Sequence, residues 1–277
     1  MSVDNAASKM KCELVNLVVD GGIARVELDR PDLHNAFNEV LIAELTTVLQ
    51  ALDVDASVRV VVLSGRGKSF CAGADLNWMK KMAGYGHAEN LADAHALARM
   101  LKTLHGLSKP TLASVRGAAF GGGVGLVACC DIAVAADDTV FALSEARLGL
   151  IPATISPYVI EAIGARQARR YFLTAERFTA AQAQRIGLVH DVVEAGGLDA
   201  RIGELVDALL VAGPMAQFEC KALIRGVAHR PIDADVIAGT AAHIAAVRAS
   251  PEGREGVAAF LGKRAAQWVP ENLRPRK

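Results

Sequence analysis

The chain has 277 residues, 52% of them hydrophobic and 22% charged, and its thirty Lys plus Arg balance thirty Asp plus Glu, for a formal net charge of zero. That composition excludes intrinsic disorder and gives a general nucleic-acid or membrane-surface role no electrostatic support. Cys12, Cys71, Cys129, Cys130 and Cys220 form no CxxC pair, no apolar run is long enough to span a membrane, and the opening MSVDNAASKMKCE lacks an apolar targeting segment, so a soluble, cytoplasmic, disulfide-free protein is expected.

Strand and helix signals alternate in the first half. Residues 14–20 and 23–29 are β-rich runs joined by Gly21-Gly22, a hairpin signature. Asn38 caps a predicted helix whose Leu41, Ile42, Leu45, Val48, Leu49 and Leu52 share one face. Buried strands are predicted at 58–64, 111–115, 131–135 and 139–143, with the glycine-rich GGGVGLVACC opening a helix before the third of these. This alternation argues for a sheet-based α/β core with helices outside.

From Pro157 onward helical signals dominate. Helices are predicted at 157–163 and 165–174, then at 180–186, capped by Thr179 and stopped by Gly187. One strand, 188–193, interrupts before helices near 198–212, 215–228 and 232–248, and a last one opening at Ser250-Pro251-Glu252. The expected organisation is one continuous domain: a β/α core over 1–196 and a helical region over 197–277.

Two nucleotide-binding resemblances fail on spacing. Gly67-Lys68-Ser69 ends like a P-loop, but Val62 stands where that motif needs its first glycine. FGGGVG (120–125) has Leu126 where the last glycine of a dinucleotide fingerprint belongs. What remains is a pair of small-residue segments, FCAGADL (70–76) and RGAAFGGGVG (116–125), each following a predicted strand. Such segments let backbone N–H groups approach a ligand, and two converging N–H groups make an oxyanion hole, the second favoured by a helix N-terminus. Taken singly, either segment reads equally well as a tight turn.

With LDRPDLHNAF (28–37), EARLGLIP (145–152) and EGVAAFLGKR (255–264) in the same order, the chain resembles the enoyl-CoA hydratase/isomerase superfamily, the crotonase fold, over nearly its whole length. The resemblance implies an α/β fold of repeated ββα units forming a core sheet pair with outer helices, plus a helical C-terminal trimerisation region. It implies that the N–H groups of Ala74 and Gly122 hold a thioester oxygen. It also implies that Ala72, Ala74, Asp75, Leu76 and Asn77 lie along coenzyme A, and that Phe260 and Lys263 meet coenzyme A from an adjacent protomer of a homotrimer or a dimer of trimers. No separate cofactor is expected, since coenzyme A is part of the acyl-CoA substrate. His34, His87, His95, His105 and His190 lack ligand spacing, so no metal is expected either.

The carboxylates distinguish the reactions. Hydratases of this family commonly use two glutamates, and the first would fall at Gly125, where this chain has none. The second matches Glu145, the candidate general acid/base, which needs a pKa raised by an apolar environment; outside the family frame it reads as a surface glutamate beside Arg147. Ile151-Pro152-Ala153-Thr154-Ile155-Ser156-Pro157-Tyr158 together with RRYFLTAERFTA (169–180) resembles the bacterial branch that hydrates glutaconyl-type CoA esters such as 3-methylglutaconyl-CoA. Lys80, Lys81 and Tyr85 are candidates for binding the distal carboxylate of such a substrate. A double-bond isomerase needing one acid, and a non-catalytic CoA-thioester or RNA-binding scaffold, are the alternatives. Cys71 is read as packing, and Trp78 and Met79 as either acyl-pocket or core residues.

Overall fold

The computed structural model describes residues 12–275. Backbone contacts divide the chain into two compact units: residues up to Leu107 with Thr111–Gly203, and Ser108–Pro110 with residues from Glu204 onward. The strands are Val15–Asp20 (β1), Ile23–Leu28 (β2), Val60–Gly65 (β3), Thr111–Val115 (β4), Ala118–Phe120 (β5), Ile132–Ala136 (β6), Val140–Ala142 (β7), Arg177–Thr179 (β8) and Asp191–Val193 (β9). The first unit's helices are Glu39–Val54 (α1), Leu76–Met82 (α2), His87–Gly106 (α3), Gly122–Cys129 (α4), Ser156–Thr174 (α5) and Ala180–Arg185 (α6). The boundary between units falls within Leu198–Val211 (α7).

The larger sheet has the order β1-β2-β3-β4-β6-β9, antiparallel only between β1 and β2. Gly21 and Gly22 both take positive φ, 55° and 83°, as a two-residue hairpin turn that follows the strand twist requires. The smaller sheet has the order β5-β7-β8, and isolated parallel bridges Cys71↔Ala119 and Phe37↔Ala74 carry its pairing outward. Each repeat thus sends one strand into the large sheet, a short extended segment into the small one, and then a helix. β2, Phe37 and α1 form one such unit; β3, residues 71–74 and α2 the next; β4, β5 and α4 the third. This is the α/β fold of repeated ββα units with outer helices that the motifs imply.

The predicted face of α1 is wholly buried, and Asn38 Oδ1 accepts the Leu41 N–H at 2.9 Å. The helices predicted at 157–163 and 165–174 form one element, α5, broken at Gly164, whose φ of 73° and ψ of 154° interrupt the helix. Thr179 and Gln182 cap α6 reciprocally, as a capping box. Helix α3 was not anticipated: only Met100, Leu101 and Leu104, near its end, are buried, so no periodic apolar face marks its first half. The strand predicted at 188–193 is paired only over Asp191–Val193, while Leu188 and Val189 pack into the core as irregular chain.

The second unit is helical: Pro214–Val227 (α8), Ala234–Ala249 (α9) and Pro251–Leu261 (α10). Ser250 caps α10 by accepting the Gly253 N–H at 3.0 Å, as its Ser-Pro-Glu start predicts. The Glu252 carboxylate accepts N–H groups from Met215 and Ala216 at 2.9 and 2.8 Å, which fixes the start of α10 to that of α8. Among the described residues no helix is long and apolar enough to cross a membrane.

Asn35 locks the loop after β2 to the loop after β3. It is fully buried at a φ of 55°, donates Nδ2 to the carbonyls of Arg66 and Ser69 at 2.9 and 2.7 Å, and accepts the Arg30 N–H at 2.8 Å. Asn35→Ala leaves these buried groups unpaired and places alanine in left-handed backbone, so urea unfolding is expected to show a loss of about 2–3 kcal/mol. A loss below about 0.5 kcal/mol would show that the lock contributes nothing.

Candidate active site

Phe37 brings the two glycine-rich segments together. Its N–H donates to the Gly73 carbonyl at 2.7 Å and its carbonyl accepts the Asp75 N–H at 2.8 Å, so the first segment is clamped on either side of Ala74. Its ring packs against the second segment: a Cβ added at Gly122 would lie 2.6 Å from Phe37 Cε2. The segments also pair directly, Cys71 N–H to Ala118 carbonyl at 3.0 Å and Phe120 N–H to Cys71 carbonyl at 2.9 Å. Gly123 is needed here because its Cβ would sit 2.3 Å from the Cys71 carbonyl oxygen.

Most amides around this junction are occupied. Ala72 N–H donates to His34, Asp75 N–H to Phe37, and Gly121 N–H to Ala142 at 2.8 Å. The N–H groups of Ala74 and Gly122 have no acceptor among the described residues. Ala74 is exposed between buried Gly73 and Asp75; Gly122 is half-buried between buried Gly121 and Gly123 and opens α4. Two accessible donors on adjoining segments, one at a helix N-terminus, can hold an oxygen that gains negative charge.

Glu145 stands beside them. It opens a 3₁₀ turn after β7, and its Oε1 lies 3.1 Å from where a Cβ on Gly121 would be. Its Oε2 is buried with no hydrogen-bond partner among the described residues, and Arg147 forms no ion pair with it. Burial pushes the Glu145 carboxyl above the ordinary carboxylate range, outweighing the hydrogen bond from its own backbone N–H. A carboxyl whose pKa is raised holds its proton to higher pH than an exposed one, which suits general acid/base chemistry.

The position of the family's first glutamate is closed. A Cβ on Gly125 would lie 2.3 Å from Ile155 Cγ2 and 2.9 Å from its Cβ, with Leu101 Cδ2 at 3.6 Å. Helical Cα–Cβ bonds lean toward the N-terminus, so a side chain here would point back along α4 toward Gly121 and Glu145. Ile155 occupies that path, and the site keeps one carboxyl.

The remaining predicted residues divide between the units. Asp75 spends its carboxylate inside the protein, accepting the Asn77 and Trp78 N–H groups at 2.7 and 3.1 Å and pairing with Arg30 at 2.9 Å. Burial opposes its ionisation, but these hydrogen bonds outweigh burial and hold its pKa below the ordinary value. Leu76 is 75% exposed, Asn77 is exposed and Ala72 half-buried, all within one turn of Ala74. Phe260 and Lys263 belong to the second unit: Phe260 is 83% exposed on α10, and Lys263 follows it in left-handed backbone at a φ of 49°. Lys81 is paired with Glu39 at 2.5 Å. Trp78 is buried in the core. Cys71 is fully buried, its thiol pushed up to about 12 by burial, which suits packing and not nucleophilic attack. Sequence reasoning placed Phe37 in a coenzyme A segment and missed its role as the clamp; the one available signal was an aromatic residue directly before the Asn38 cap.

The enoyl-CoA hydratase/isomerase family model matches residues 19–271. An enoyl-CoA hydratase of Alternaria alternata is 36% identical over 253 residues, covering 89% of this chain and 81% of that protein. The 2,3-dehydroadipyl-CoA hydratase of Escherichia coli is 33% identical over 238 residues, covering 86% of this chain and 91% of that protein. Among solved structures, an enoyl-CoA hydratase from Shewanella pealeana superposes with a TM-score of 0.92 at 43% identity, covering 96% of this chain and all of that one.

The raised Glu145 pKa has a stability consequence. Folding favours the protonated form, so its contribution is complete below the unfolded carboxylate range and is lost as pH rises through the folded pKa. Glu145→Gln should therefore melt close to wild type near pH 4, taken as roughly the unfolded glutamate pKa, and above it near pH 8. An equal gap at both pH values, or a less stable variant at the higher pH, would contradict the burial of this carboxyl.

Proposed function

The chain belongs to the enoyl-CoA hydratase/isomerase family, and from that premise we propose that it hydrates an α,β-unsaturated acyl-CoA of glutaconyl type, with Glu145 as the single acid/base. The observation that carries this reading is the Glu145 carboxyl, its Oε2 buried without a partner, beside two accessible amides, Ala74 and Gly122. The thioester oxygen accepts both N–H groups. Glu145 takes a proton from water as the water oxygen bonds to C3, the electrons of the double bond move onto the thioester oxygen, and C2 then takes the proton from Glu145. One oxyanion donor of this kind is typically worth about 2.7–4 kcal/mol of barrier.

A glutaconyl substrate supplies its own second carboxylate, which suits a site whose first-acid position is filled by Ile155. A relative whose name denotes an unsaturated dicarboxylic acyl-CoA, the dehydroadipyl-CoA hydratase, supports the same class. The single carboxyl equally favours one other reaction, movement of a double bond, in which Glu145 carries a proton between C4 and C2. Coenzyme A enters as part of the substrate, and no separate cofactor is invoked. A cytoplasmic homotrimer or dimer of trimers completes the proposal, supported by apolar residues that the second unit leaves exposed, Ile232, Ile237, Val257, Phe260 and Leu261 among them.

The test pairs 3-methylglutaconyl-CoA with crotonyl-CoA and follows loss of the conjugated thioester absorbance. Hydration of the first should exceed that of the second, and Glu145→Gln should lower kcat by about 10²–10⁴-fold. Loss of neither substrate, with turnover of a 3-enoyl-CoA instead, would replace hydration by isomerisation.

A further inference from the structure

The small sheet sets the site's groups in a row. β5 and β7 are parallel and β8 runs against them, so the C-terminal ends of the first two share an edge with the N-terminal end of the third, in the register Phe120↔Ala142↔Arg177. The bridges Cys71↔Ala119 and Phe37↔Ala74 extend the same edge on the other side. Along it stand, in order, Phe37, Ala74, the turn Phe120-Gly121-Gly122, Ala142 with Glu145 three residues beyond it, and finally Arg177. Every position but the last already belongs to the candidate site.

Arg177 alternates with Phe178 across β8. Phe178 faces the core, stacking on Phe141 at 5.5 Å and meeting Tyr171 at 4.3 Å. Arg177 faces the opposite side with Phe120, and its guanidinium carbon lies 5.3 Å from the Phe120 ring centroid. Thus an exposed cation is folded back over the residue that leads into Gly121 and Gly122. The ring holds the guanidinium without neutralising it, and no carboxylate pairs with Arg177 among the described residues. Of the other cations near these loops, three are occupied, Arg30 by Asp75 at 2.9 Å, Lys81 by Glu39 at 2.5 Å and Arg116 by Asp199 at 2.9 Å, while exposed Arg147 and Lys80 lie on the 3₁₀ turn of Glu145 and on α2, off the row of strand ends.

We propose that Arg177 is the subsite for a carboxylate at the far end of the acyl chain, which makes the substrate class the enoyl thioesters of short dicarboxylic acids. This rests on the reading given under Proposed function. Successive strands of a sheet are about 4.8 Å apart, so a thioester held between Ala74 and Gly122 directs its acyl chain past Glu145 and toward the next strand, where Arg177 stands. The planar fork of a guanidinium matches a carboxylate with two parallel N–H donors, which a neutral acyl end cannot use.

Equilibrium binding tests the subsite apart from catalysis. Glutaryl-CoA and butyryl-CoA are saturated, undergo no hydration, and differ by the terminal carboxylate; calorimetry gives their Kd values on the whole 277-residue chain. Wild type should bind glutaryl-CoA about 10- to 100-fold more tightly, the range of a charge-assisted hydrogen-bonded pair. Arg177→Met should abolish that preference and Arg177→Lys retain part of it, while Arg147→Met, the exposed cation two residues after Glu145, keeps it. A wild type without the preference, a preference that survives Arg177→Met, or one lost in Arg147→Met overturns the assignment. Preference intact in a protein that hydrates nothing would support the subsite and refute the hydration reading; hydration without any preference would do the reverse.

Discussion

Phe37 makes one site out of two loops. Its backbone holds Gly73 and Asp75, and its ring fills the space left by the missing side chain of Gly122. The consequence is electrostatic: the amides of Ala72, Asp75, Phe120 and Gly121 are spent on internal hydrogen bonds, while those of Ala74 and Gly122 have no internal acceptor among the described residues. Backbone donors fixed in advance need no reorganisation when charge develops on the oxygen they face. Asn35 and the Arg30–Asp75 pair serve the same end by fixing the loop that delivers Phe37 and the helix that follows Ala74.

Glu145 gains its chemistry from what surrounds it. No cation compensates its burial, and the neighbouring Gly121 lets the carboxyl lie against backbone. One turn further along α4 the Ile155 side chain blocks the space in which a second acid would stand. A one-carboxyl site asks more of its substrate, and the proposed subsite at Arg177 is where that demand would be met. Ala74 and Gly122, then Glu145, then Arg177 lie in turn along a single edge, in the order in which an extended acyl thioester would present oxygen, double bond and far end.

Much of this was legible in the sequence. The Gly21-Gly22 turn, the buried face of α1, the caps at Asn38, Thr179 and Ser250, and the glycine segments around Ala74 and Gly122 are local signals, and the structure uses them as local chemistry dictates. Glu145 was found through its motif, since nothing in its immediate sequence announces that its carboxyl is buried. The rest depends on contacts between distant segments. β5 and β8 are three residues each, too short for a periodic pattern. The long helix α3 buries only its end. That Gly125 faces Ile155, thirty positions away, and that Arg177 shares an edge with Phe120 through Ala142, are facts of register and packing that no window along the chain contains.

The amides of Ala74 and Gly122 can be observed through the thioester carbonyl that they would hold. Infrared difference spectroscopy with an acyl-CoA carrying ¹³C at that carbonyl would isolate its stretching band in the bound state. Two charge-stabilising N–H donors in a partly buried site should move the band to lower frequency than the same thioester shows in water. A bound carbonyl that absorbs where it does in water would mean that Ala74 and Gly122 do not form an oxyanion hole.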